Sequence, residues 1–310
     1  MQRGASTAEA AERWRLANTP TFLSRLDRLR IDVRGKTGRH PGNNLVSWAT
    51  QASGLDFAKH RPYVQGDDLR HIDWNAMARL ETKLVKTFRA EREAPLHILL
   101  DCSASMGAPP EDMKFNAATA LASSLAYISL RHRDPVRVAI MRDSMAFQVC
   151  PLLRHPNRVP LVHDSLSLQI PVGTTDLLRS VDSYLHLTRL PGVAIVISDF
   201  LVPAANYETA LRRLVAGGYA VAAIRVAGIQ ERDPTHPTRR VRLFDVETRR
   251  QRVVNLTDAH RTEYTRAREK HDRALLSWCA ANGLAFCTVD TSQDPRAIIT
   301  TALPRAGILR

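Results

Sequence analysis

Leu96-His97-Ile98-Leu99-Leu100-Asp101-Cys102-Ser103-Ala104-Ser105 is the stretch whose reading decides the fold of this chain. The apolar run reads as a buried strand, and it ends on one carboxylate followed by hydroxyls at alternate positions. Open parallel sheets collect ligands outside the carboxyl ends of their strands, so Asp101, Ser103 and Ser105 stand where such a sheet presents its chemistry. Hard divalent cations take oxygen ligands and give up water reluctantly, and a carboxylate, a few hydroxyls and waters make a suitable shell. The same residues would also suit a helix-capping turn, with Asp101 bonding backbone N–H groups.

Outward from this stretch, strand-like runs alternate with helical periodicity from Pro95 onward. That alternation predicts an α/β fold with a mostly parallel central sheet and helices on both faces. Pro109-Pro110-Glu111-Asp112 reads as a helix start, and Phe115, Ala118, Leu121, Ala122, Leu125 and Ile128 follow at helical spacing. Val136 to Met141 and Met145 to Val149 read as two strands joined by a tight turn. Leu178, Val181 and Leu185 stripe the helix after Gly173-Thr174-Thr175-Asp176, and Val193 to Ser198 is a strand ending in Asp199. A helix carrying Tyr207, Leu211 and Leu214 stops at Gly217-Gly218, and Tyr219 to Val226 is the next strand. Val241 to Val246 and Arg252 to Val254 suggest a hairpin, Asp258 to Ala281 a long helix, and Leu284 to Val289 the last strand. His271 lies on the apolar stripe of that helix and reads as a core histidine.

The chain has 310 residues, 44% hydrophobic and 24% charged, enough for one large domain and an appendage. No apolar stretch approaches the ~20 residues of a membrane-spanning helix, and Met1 to Ala17 lacks the apolar core of a signal peptide, so a cytoplasmic location is expected. Cys102, Cys150, Cys279 and Cys287 form no C-x-x-C pair and read as reduced core thiols. A net charge of +13 invites an acidic partner. The basic residues are scattered and the aromatics few, so no motif for nucleic acid supports that alternative.

Asp-x-Ser-x-Ser at the end of a strand resembles the metal-ion-dependent adhesion site of von Willebrand factor type A domains. That resemblance implies a threonine ligand from a second loop, which Thr175 matches, and an aspartate from the end of a later strand, which Asp199 matches. The implied ligand set is Asp101, Ser103, Ser105, Thr175 and Asp199, holding Mg2+ or, failing that, Mn2+ or Ca2+.

A second signature runs from His60 through Arg61-Pro62-Tyr63-Val64-Gln65-Gly66-Asp67-Asp68-Leu69-Arg70-His71-Ile72-Asp73-Trp74 to Arg79. Gly66 suits a turn, and Asp67 or Asp68 suits the cap of a short helix. Arg61, Arg70 and Arg79 offer planar forks for Asp67, Asp68 or Asp73, and Tyr63 and Trp74 add aromatic faces. With Lys86-Thr87-Phe88 and the pair Glu91 and Glu93, the stretch resembles the signature of the domain of unknown function 58 family. It reads as a structural or partner-binding network, because it holds no matched nucleophile and base. The expected organisation is an N-terminal segment over 1–93, with its signature at about 60–88, and a von Willebrand factor type A-like domain over 94–310.

The resemblance implies a short, soluble family member without N-terminal membrane helices, paired with a MoxR-type AAA+ ATPase. The expected function is a non-enzymatic, divalent-metal-dependent adaptor in assembly or maturation of client proteins, its ion left open to an acidic residue of the partner. The alternative is a metal-dependent phosphoester hydrolase, although Ser103 stands where aspartyl-phosphate enzymes carry their second carboxylate.

Overall fold

The computed structural model describes residues 20–34, 55–65, 67, 72–80, 82–90, 94–188, 190–232 and 240–310. The chain divides into two compact units, Pro41–Glu93 and a larger one formed by Met1–His40 with Ala94–Arg310. The expected organisation grouped residues 1–93, whereas here Met1–His40 groups with Ala94–Arg310 and Pro41–Glu93 forms a unit by itself. Residues near the N-terminus complete the larger core: helix α1 (Pro20–Leu26) buries Phe22 and Leu26 there. The chain end closes on the same region, where Ile31 bridges to Leu309 and the Arg30 N–H donates to the Arg310 carbonyl at 2.9 Å.

In the smaller unit, β1 (Leu55–Pro62) pairs antiparallel with β2 (Leu84–Ala90), and α2 (Trp74–Leu80) lies between them in sequence. Asp73 caps α2 by accepting from the backbone N–H groups of Asn75 and Ala76, both at 3.1 Å. The cap therefore lies next to the helix rather than at Asp67, as a side chain bonding two or three residues onward requires.

The larger unit is built on a six-stranded sheet in the order β10-β7-β6-β3-β4-β5. Strands β3 (Leu96–Asp101), β4 (Val136–Arg142), β6 (Val193–Ser198), β7 (Ala220–Ala227) and β10 (Ala285–Asp290) run parallel, and β5 (Met145–Gln148) joins the edge antiparallel. The resulting fold is von Willebrand factor type A-like.

Strand side chains alternate between two cores, as the period of the pleat demands. Leu96, Ile98, Leu100, Ile195 and Ile197 face a core completed by α3 (Lys114–Arg131), α4 (Val159–Ser167) and α1. Leu99, Ala194 and Val196 face a second core, completed by α5 (Leu177–Leu187), α6 (Ala204–Ala216) and α8 (Asp258–Ala281). Helices on both faces leave the central strands no polar side, which is why β3 and β6 read as continuous apolar runs. Burying each such Leu or Ile contributes roughly 1.5–3 kcal/mol.

Helix α3 begins later than its prolines predict. Residues Pro110–Asp112 form a single 3-10 turn, Met113 is left-handed at φ 51°, and the α-helix starts at Lys114. Asp112 is drawn inward, where its carboxylate accepts from the Gln230 N–H at 2.8 Å, just before the short helix α7 (Ile229–Arg232) is complete. The remaining pair, β8 (Arg240–Phe244) and β9 (Gln251–Asn255), forms a separate antiparallel hairpin.

Candidate metal centre

Three loops meet at the carboxyl edge of the sheet. The loop after β3 and the loop before α5 are tied by backbone bonds, the Ala104 N–H to the Gly173 carbonyl at 3.1 Å and the Val172 N–H to the Cys102 carbonyl at 3.0 Å. Gly173 is left-handed at φ 75°, and an added Cβ would lie 2.0 Å from the Asp143 carboxylate, so this crossing point needs glycine. The third loop leaves β6 through Asp199 and Phe200, the latter buried and left-handed at φ 53°.

Asp101 is the hub. Its Oδ1 accepts from the Ser103 N–H at 3.0 Å and the Thr175 hydroxyl at 2.7 Å, and its Oδ2 accepts from the Ser198 hydroxyl at 2.6 Å. The Ser103 and Ser105 hydroxyls face each other at 3.0 Å, and Ser103 makes no side-chain cap to the turn that follows it. Capping therefore accounts for Asp176, which accepts from the Arg179 N–H as the N-cap of α5, and leaves both serine hydroxyls unexplained. Asp101, Ser103, Thr175 and Asp199 are buried and Ser105 is partly exposed, so the cluster opens to solvent on the Ser105 side.

Burial pushes the Asp101 carboxyl above the usual carboxylate range, and the neighbouring charge of Asp199 adds to the effect against its three hydrogen bonds. Two carboxylates and three hydroxyls, all oxygen and all from one sheet edge, fit a hard divalent cation. Asp101, Ser103, Ser105, Thr175 and Asp199 would hold it, with charge from the aspartates and neutral donors from the rest. Among the described residues no three His, Cys, Asp or Glu side chains gather, so this centre depends on its hydroxyls.

Sequence reasoning missed the cation already present. Lys114 Nζ donates to Asp199 Oδ2 at 2.9 Å and lies 3.7 Å from Glu231 Oε2, all three side chains being buried. Burial opposes its charge, but Asp199 and Glu231 outweigh that and hold the Lys114 pKa above its ordinary value. The network continues inward. Arg225, fully buried, donates to Glu231, to the Asp199 carbonyl at 3.1 Å, and faces Asp272 at 2.8 Å. His271, partly exposed rather than in the core as expected, has its Nε2 3.0 Å from the Phe200 carbonyl. Lys114 belongs to no motif; only its place in the fold reveals it.

The four cysteines are buried and unpaired, and burial raises the Cys102 thiol to about 11, Cys279 to about 12 and Cys287 to about 11. None is an activated nucleophile.

In the smaller unit the signature makes the predicted fork: Arg61 grips both oxygens of Asp67 at 2.7 and 2.6 Å, and Asp67 also accepts from the Val64 N–H. Asp73 pairs with His60 at 2.8 Å. The Tyr63 N–H donates to the Lys83 carbonyl, and Trp74 and Arg79 are exposed. Gly66, Asp68 and Arg70 lie outside the described residues.

The profile of the family described as "Protein of unknown function DUF58" matches residues 59–274. An uncharacterized protein of Mycobacterium tuberculosis is 27% identical over 251 residues, 78% of this chain and 76% of that protein. Among solved structures, the conserved hypothetical protein BatB from Bacteroides thetaiotaomicron is similar with a TM-score of 0.42 at 15% identity, over 69% of this chain and 98% of that one. A von Willebrand factor type A protein from Catenulispora acidiphila is similar over 47% of this chain and 35% of its own length, at 20% identity and a TM-score of 0.34. Among the described residues no helix is long and apolar enough to cross a membrane.

Proposed function

This chain belongs to the DUF58 family, and from that premise we propose that it is a non-enzymatic, divalent-cation-dependent adaptor that binds an acidic residue of a protein partner. One observation carries the reading: Asp101, Ser103, Ser105, Thr175 and Asp199 share one sheet edge, with Thr175 and Asp101 in direct hydrogen bond at 2.7 Å. Two carboxylates leave a divalent ion short of anionic ligands, and Lys114 takes part of the charge of Asp199. An ion so placed stays electrophilic and gains from a carboxylate supplied by the partner.

The resemblance of the signature adds the expected partner, a MoxR-type AAA+ ATPase acting with a client protein in assembly or maturation. The signature unit, with its Arg61–Asp67 fork and exposed Trp74, is a structural or partner-binding element in this reading. An adaptor role is favoured over phosphoester hydrolysis because the position two after Asp101 is Ser103, which lacks the acid and base capacity of a second carboxylate.

The test is capture of the ATPase or its client by the purified protein in Mg2+, in EDTA, and with Asp101→Ala. Capture lost in both of the latter supports the reading; capture indifferent to both sinks it. Binding confined to the native state would also stabilise it by about 2.7 kcal/mol at a hundredfold excess of ion over its Kd.

A further inference from the structure

The β8–β9 hairpin concentrates positive charge on an exposed ribbon. Between Arg240 and Asn255 stand five arginines, Arg240, Arg242, Arg249, Arg250 and Arg252, against two acids, Asp245 and Glu247. All five arginines are exposed, and among the described residues none of them pairs with a carboxylate. On α8, by contrast, Arg261 and Arg273 have Asp258 and Glu269 within 3.9 Å. Asp245 is occupied by its own turn, where it accepts from the Glu247 and Thr248 N–H groups at 3.0 and 3.2 Å and from the Thr248 hydroxyl.

Register sorts these residues by face. Side chains alternate along a strand, so Arg240, Arg242 and Phe244 share one face with Asn255, Val253 and Gln251 opposite them, all six exposed. The other face holds Val241, the one buried residue of the two strands. Phe244 and Val253, each 51% exposed, are diagonal neighbours, and the open face therefore combines two guanidinium forks with an apolar patch. The sheet has two strands, and among the described residues no third strand pairs with β8.

We propose that the free edge of β8 docks an extended acidic segment of a protein partner. A strand added there sets its alternate side chains beside Arg240, Arg242 and Phe244. The matching segment carries a carboxylate, a second carboxylate and a large apolar residue at every second position. Guanidinium forks take carboxylates bidentately, and arginine beside aromatic residues is the composition of interface centres. Val253 decides between polyanions: a nucleic acid would engage the arginines through phosphate and stack on Phe244, but would leave Val253 without a partner. This docking edge needs no metal ion and stands apart from the candidate centre.

The test is fluorescence anisotropy with the whole chain in EDTA, which keeps the candidate centre out of the readout. The labelled probes are a peptide with glutamate, glutamate and leucine at alternate positions among threonines, a shuffled peptide of the same composition, and oligothymidylate. The ordered peptide is expected to bind tightest and to weaken with salt. Arg240→Ser combined with Arg242→Ser should weaken it about tenfold, since two exposed ion pairs are lost. Phe244→Ser should weaken it as well. Arg158→Ser combined with Arg305→Ser removes the same charge from exposed positions outside the hairpin and should weaken it far less. Equal binding of the ordered and shuffled peptides, equal losses in the two double variants, or no peptide binding at all would overturn the docking edge. Tighter binding of oligothymidylate, lost with Arg240 and Arg242, would replace the protein partner by a nucleic acid.

Discussion

Lys114 and Asp199, 85 residues apart in sequence, form an ion pair of 2.9 Å with side chains only 2% and 3% exposed. The ammonium therefore shares, with any metal ion, the carboxylate that the adhesion-site resemblance assigns to the metal. Asp199 Oδ1 keeps its own bond from the Leu201 N–H at 3.2 Å, so the two oxygens have distinct duties.

Removing the ammonium should expose the dependence. Lys114→Met leaves the Asp199 carboxylate buried without its ammonium, while Glu231 keeps Arg225, and is expected to destabilise the protein by about 3–5 kcal/mol in EDTA. Saturating Mg2+ should recover part of that loss, so the rise in Tm on adding Mg2+ should be larger than in the wild type. Denaturation with and without the ion measures both, and an equal Mg2+ response in the two proteins would contradict the shared carboxylate.

Asp101→Asn separates binding from stability. Asparagine keeps an acceptor for Ser103 and Thr175 while removing the charge that burial and Asp199 disfavour. The metal-free variant should melt higher by about 2–4 °C, for a gain on the order of 1 kcal/mol. Its Tm should no longer respond to Mg2+ or Mn2+. A melting point well below that of the metal-free wild type would show that the carboxylate is held by its hydrogen bonds more than it is penalised by burial.

Acid stability should carry the mark of His97. Burial, then the charge of Arg137, lowers its pKa from 6.5 to about 3, and its Nδ1 lies 2.6 Å from the Tyr184 hydroxyl. Between those two values the unfolded chain binds the proton and the folded chain does not, so the contribution is complete above pH 6.5 and is lost as pH falls towards 3. The slope from this one group is about 1.4 kcal/mol per pH unit. Urea denaturation of the wild type and His97→Gln across that range should give curves that converge on acidification; parallel curves would place the titration elsewhere.

Gly228 fixes the start of α3 from a distance. A Cβ there would lie 2.0 Å from Asp112 Oδ2, so Gly228→Ala must expel the carboxylate from the Gln230 N–H. The expected cost is about 1–3 kcal/mol, as for overpacking. Gly107→Ala, whose Cβ would meet Pro171 at 3.1 Å, should cost less. Equal Tm values for Gly228→Ala and the wild type would refute the close approach.

Legibility followed burial. Strands β3, β6 and β7 announce themselves because sheets covered on both faces need apolar residues at every position, and the candidate ligands Asp101 and Asp199 are simply where those runs stop. Thr175 is legible through the glycine turn before α5. Lys114 is not, since a lysine at a helix start beside acidic residues reads as a solvated surface group until the fold turns it inward. Ser198, the third bond to Asp101, is disguised as the last residue of a strand. Helix α4 escaped because it is short, carries Pro160 in its first turn and buries only Val162 and Leu166.

The inward relay from Lys114 and Asp199 through Glu231 and Arg225 to Asp272 crosses α3, the β6 loop, α7, β7 and α8. Loss of any single member strands its neighbours in the interior, whereas simultaneous exchange for well-fitted apolar residues can cost nothing. Single exchanges along this relay should therefore cost stability that only a coordinated exchange of the partners returns.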